Sequence, residues 1–111
     1  MDEKAIAALL RDAHLDRASG VQTAVNGYLI NTGKNLVLVD AGTSRCFGPT
    51  LGALPANLHA AGYTPEQVDT VLLTHLHPDH ACGISDAGKA LFPNATVRVS
   101  AGEAEFWLDP D

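Results

Sequence analysis

Cationic side chains are scarce in this chain: seven Lys and Arg are scattered through 111 residues against thirteen Asp and Glu, a formal charge of −6. No basic stripe forms, so a phosphate backbone has nothing to grip and no nucleic-acid partner is expected. Cysteine is scarcer still. Cys46 and Cys82 are too few and too separated for a disulfide framework or a four-cysteine zinc site, and both are expected as free thiols. Long apolar runs are also missing. None approaches the roughly 20 residues a membrane helix needs, so no membrane partner is expected. Asp2 and Glu3 stand where a signal peptide would carry positive charge. The chain as written therefore reads as cytoplasmic, although a parent whose leader lay in a missing segment could be exported. With 46% hydrophobic and 18% charged residues the composition is that of a folded globular chain, not a disordered one.

Histidine is absent after His80, and its distribution before that point is uneven. Three of the five histidines and one aspartate fall within His75–His80, in the stretch Thr-His-Leu-His-Pro-Asp-His from Thr74. A single loop histidine is usually just solvated or hydrogen-bonded. Three packed with an aspartate would concentrate positive charge at low pH for no structural return. His75, His77, Asp79 and His80 therefore read as metal ligands, suited to zinc and also to iron or manganese. The apolar run before them, Val68 to Thr74, reads as a buried strand, which places the cluster in the loop at a strand's carboxyl end. On a strand-like path His75, His77 and Asp79 would point to one side. Pro78 helps turn the chain so that His80 swings back towards them.

Taken in order, Asp2 to His14 has Ile6, Leu9 and Leu10 at helical spacing and predicts a short amphipathic helix. Ala18 to Gln22 reads as linker and Thr23 to Thr32 as a strand. A turn over Asn31 to Asn35 returns the chain through Leu36 to Val39, whose continuous apolar run suits a strand covered on both faces. Asp40 follows, with two roles open: turn formation beside Gly42, or hydrogen-bonded support of a metal ligand. A helix is expected after the Thr43–Pro49 loop, with Pro55 forcing a bend or a late start. Thr64-Pro65-Glu66-Gln67 predicts one brief helical turn with its own cap. Cys82 has two readings, a small core residue or a soft metal ligand. Asp86 to Lys89 reads as a turn, with short strands at Ala90–Phe92 and Ala95–Val99. Ser100 and Glu103 form a capping box for a helix to about Leu108, and Phe106 and Trp107 are expected in the core.

The His-x-His-x-Asp-His stretch resembles the signature of the metallo-β-lactamase fold superfamily. The likeness extends through Val25–Gly33 (VNGYLINTG), Leu36–Gly42 (LVLVDAG), Phe47–Gly52 (FGPTLG), Ala60–Val68 (AAGYTPEQV) and Leu91–Ala95 (LFPNA), and is greatest to the methyl parathion hydrolase group. The resemblance implies an α/β (α+β) chain: part of an αββα sandwich, a mixed sheet with flanking helices, residues 1–111 making one partial domain. It implies two divalent metals, most readily zinc, one held partly by His75 and His77 and the other partly by Asp79 and His80, with Asp79 also the candidate catalytic residue and Asp40 beneath the metal loop. Such a site hydrolyses small molecules: an ester or phosphotriester, with a lactone as the alternative. Proteins of that family are longer and take further ligands from later strands. This chain therefore reads as an amino-terminal part, near-inactive alone, or as a non-catalytic product that self-associates through exposed sheet surfaces. Ala81-Cys82-Gly83 departs from the family's usual glycine pair.

Overall fold

The run Leu36–Val39 forms the strand that organises the molecule. The structure, a computed structural model, describes residues 2–15, 21 and 23–110. Helix α1 (Glu3–Asp12) is capped by Asp2, whose carboxylate accepts from the Ala5 N–H. The linker expected over Ala18–Gln22 lies outside the described residues except for Val21. Strand β1 (Tyr28–Asn31) is shorter than the predicted Thr23–Thr32 and pairs antiparallel with β2 (Leu36–Val39). Asn31 and Thr32 side chains hold the intervening turn, accepting from the N–H groups of Gly33, Lys34 and Asn35.

Helix α2 (Leu54–Ala60) starts late, with Pro55 in its first turn, where a missing N–H costs nothing. Thr64 and Gln67 then cap a single 3-10 turn, Gln67 Oε1 accepting from the Thr64 N–H at 2.7 Å. Strand β3 (Thr70–Leu72) lies parallel to β2. A four-residue helical turn, α3 (Pro78–Ala81), and a 3-10 turn over Cys82–Ile84 follow. A two-residue hairpin, β4 (Ser85–Asp86) and β5 (Lys89–Ala90), leads to β6 (Thr96–Arg98), parallel to β3, and to α4 (Ala101–Leu108). The sheet order is β1-β2-β3-β6, a mixed sheet with flanking helices.

The pleat divides the sheet into two unlike faces. Leu36, Leu38, Val71 and Leu73 on one face pack with Leu58, Val68 and Phe92 into the core, Leu38 and Val71 being fully buried. Burying each such side chain contributes about 2 kcal/mol. On the other face Tyr28, Ile30 and Leu72 are exposed, and Val37 and Val39 are only half-buried. Strand β2 is thus covered on one face where both were expected. Its unbroken apolar run reports an open apolar face as readily as a buried one. Phe106 and Trp107 are also exposed, not in the core. Among the described residues no helix is long and apolar enough to cross a membrane.

Candidate metal centre

Two adjacent parallel strands, β2 and β3, end side by side, and the residues after each build the site at the carboxyl end of the sheet, the usual place for ligands in such sheets. After β2, Asp40 turns into the left-handed region (φ 57°), tolerated by aspartate but uncommon for residues other than glycine. The turn buries its carboxylate under the loop that follows β3. There it accepts from the Thr74 N–H (2.8 Å to Oδ1), the Thr74 hydroxyl (2.9 Å to Oδ2) and His80 Nδ1 (2.9 Å to Oδ2). Burial alone would raise the Asp40 pKa. The Thr74 N–H, the His80 ring and the Thr74 hydroxyl together outweigh it and hold the carboxyl below its ordinary value.

Backbone bonds secure the same loop. Ala41 N–H donates to the His80 carbonyl and Gly83 N–H to that of Gly42, each at 2.9 Å. The approach at Gly83 is so close that a Cβ there would lie 1.8 Å from the Ala41 carbonyl oxygen, which only glycine permits. Cys46 and Cys82 form a disulfide across 36 residues, correcting the expectation of free thiols. Sequence separation does not report spatial separation: the Thr43–Cys46 turn folds back over the 3-10 turn carrying Cys82. With its sulfur bonded to Cys46, Cys82 is not a metal ligand. Arg45 adds a two-point ion pair to Asp86, which holds that carboxyl below its ordinary range.

The loop brings His75, Asp79 and His80 together, one candidate ligand atom from each lying within 4.8 Å of the others. His80 Nε2 stands 3.3 Å from Asp79 Oδ2. Pro78 opens α3 immediately after His77, so Asp79 leaves the extended path and meets the histidines from a helical turn. His77 falls outside this group. Its ring centroid is 4.7 Å from that of His75, and it meets Trp107 edge-on at 5.6 Å. Two imidazoles and a carboxylate converging on one point fit a divalent transition metal by their chemistry. Sequence reasoning missed two contacts. Glu103 accepts from the Leu76 N–H at 2.8 Å, tying α4 to the loop after β3, while Ser100 alone caps the helix. The second is at Thr74, a residue expected only as a strand end beside the motif, whose N–H and hydroxyl both reach Asp40.

Comparison with known proteins places the fold in a family. The family model for the Metallo-beta-lactamase superfamily matches residues 20–110. N-acyl homoserine lactonase AiiB of Agrobacterium fabrum is 33% identical over 104 residues, covering 78% of this chain and 35% of that protein. The crystal structure of hydrolase AbOPH, described as in the beta lactamase superfamily, superposes with a TM-score of 0.93 at 55% identity, covering all of this chain and 38% of that one. AidC, a dizinc quorum-quenching lactonase, superposes with a TM-score of 0.91 at 28% identity over the same shares. The chain thus spans little more than a third of the length of each of these relatives. A matched family model, a shared fold and the histidine-rich loop at the sheet's carboxyl end lead to one conclusion: the chain belongs to the metallo-beta-lactamase superfamily.

Proposed function

We propose that this chain is one partial domain, the amino-terminal part of a metal-dependent hydrolase, and that His75, His77, Asp79 and His80 are its share of the metal ligands. The convergence of His75, Asp79 and His80 within 4.8 Å carries the reading. Divalent ions, zinc first among them, supply an activated water and stabilise developing negative charge when bound. The chain's own residues do the rest. Asp40 holds the His80 ring through Nδ1, leaving Nε2 directed at Asp79. Asp79 is the candidate catalytic residue, a carboxylate placed to orient an attacking water and take its proton. His77, exposed beside His75 and edge-on to Trp107, is the ligand that stands outside this group.

Esters and phosphotriesters are the substrate class implied by the segments resembling the methyl parathion hydrolase group. A lactone is the second reading, favoured by two relatives named as lactonases. Alone, the chain should be close to inactive, because a misplacement of about 1 Å at a reacting group costs on the order of 100-fold. Assay of the zinc- or manganese-loaded chain against an aryl phosphotriester, an aryl ester and a lactone tests this. Negligible turnover is expected alone, with recovery on mixing with a carboxyl-terminal piece of a related hydrolase. Substantial turnover by the isolated chain, lost in His77→Ala, would show a complete site and contradict the partial-domain reading. The disulfide favours an oxidising compartment for the intact protein. The open sheet face with Tyr28, Ile30 and Leu72 is a surface for pairing with a second copy.

A further inference from the structure

Thr74 makes two side-chain contacts that a strand-end residue does not need. Its hydroxyl lies 3.0 and 2.9 Å from the two Asp40 carboxylate oxygens and 3.0 Å from Nδ1 of His75. A threonine hydroxyl carries one hydrogen, and a carboxylate can only accept. The Thr74 hydrogen therefore goes to Asp40, and towards His75 the same oxygen can only accept. The hydrogen in that contact must sit on His75 Nδ1. In the neutral ring this leaves the lone pair on Nε2.

Asp40 treats His80 in the same way without an intermediary, accepting from its Nδ1 at 2.9 Å. One buried carboxylate thus addresses two imidazoles, His80 directly and His75 through the Thr74 hydroxyl. The backbone N–H of Thr74, 2.8 Å from Asp40 Oδ1, prevents the threonine from rotating away with its strand end. The two rings so held have centroids 4.1 Å apart and belong to the group whose ligand atoms converge with Asp79.

We propose that Thr74 is a positioning residue: through a hydroxyl oriented by Asp40 it fixes the Nδ1–H tautomer of His75 and so presents Nε2 to the metal position. The inference rests on the metal reading above, but the tautomer it specifies belongs to the metal-free chain and is measured there. Serine keeps the hydroxyl. Valine keeps the shape and loses both the donor and the acceptor.

Nitrogen-15 NMR of the histidine rings in the metal-free chain, at a pH where they are neutral, reads the tautomer directly. His75 and His80 are both expected as Nδ1–H in the unaltered chain and in Thr74→Ser. In Thr74→Val, His75 should move towards the Nε2–H form while His80, still held by Asp40, stays unchanged. That contrast separates loss of the relay from general loosening of the loop. Zinc affinity, read by competition with a chelator, should fall on the order of tenfold in Thr74→Val and return in Thr74→Ser. An Nε2–H tautomer for His75 in the unaltered chain would overturn the proposal with no variant required. Unchanged His75 tautomer and zinc affinity in a folded Thr74→Val would overturn it as well. A confirmed tautomer in a chain that takes up no zinc would instead count against the metal reading.

Discussion

Asp40 holds a left-handed backbone conformation directly after a strand, and its carboxylate is buried against Thr74 and His80. Uncommon backbone geometry of this kind persists where surrounding contacts over-determine it. Here the contacts are three donors to one carboxylate. Because the folded-state pKa lies below the ordinary value of 3.8, the stabilisation is complete above about pH 4 and is lost as pH falls through the folded value. Acid titration of the metal-free chain, followed by circular dichroism, should show that loss. Asp40→Asn should destabilise the chain by about 2 kcal/mol at neutral pH and flatten the acid limb. An unchanged acid limb in the variant would show that other carboxylates set it.

The short elements at the site are held by ties between distant segments. The Cys46–Cys82 disulfide and the Arg45–Asp86 pair both fasten the turn after β2 to the chain beyond α3. Closing a loop of this length with a disulfide typically contributes about 2 to 4 kcal/mol, far more than the exposed ion pair beside it. The variant Cys46→Ser with Cys82→Ser should lower the urea midpoint accordingly. If reductant lowers the unaltered chain's midpoint but not the variant's, the bond forms in solution; equal midpoints with and without reductant would mean it does not. Local chemistry explains which elements were legible. Ser100 before Ala101–Leu108 and Thr64 with Gln67 announce helix ends by short-range hydrogen bonding, and Pro55 announces one by lacking an N–H that a first turn does not need. Contacts across the fold leave no such mark. Nothing in the spacing of Cys46 and Cys82 shows that a turn brings them together. Glu103 fits a capping box and bonds instead to Leu76.

At the scale of the whole molecule, the unequal faces of the sheet matter most. The clustering of three histidines and an aspartate after a strand is readable from His75 to His80, because residue identity carries that chemistry. Their grouping was not, because it depends on where Pro78 starts its turn. The resemblance implies exposed sheet surfaces, but β2 by itself does not reveal its open face, because an apolar strand looks the same in sequence whether or not something covers it. Exposed Tyr28, Ile30 and Leu72 on one face predict self-association. Sedimentation at micromolar concentration should find a dimer or higher assembly, and Ile30→Asp with Leu72→Asp should shift it towards monomer. A stable compact monomer of the unaltered chain would remove this expectation.

The central claim is that the loop from His75 to His80 holds a metal. Equilibrium dialysis against zinc, comparing the unaltered chain with His75→Ala/His77→Ala, tests it most directly. Weak but saturable binding is expected, since each of the two metal positions implied by the family resemblance would take only two ligands from this chain, His75 with His77 and Asp79 with His80, fewer than the three protein ligands usual for catalytic zinc, and the double variant should lose it. Identical zinc stoichiometry in the two chains would contradict the assignment.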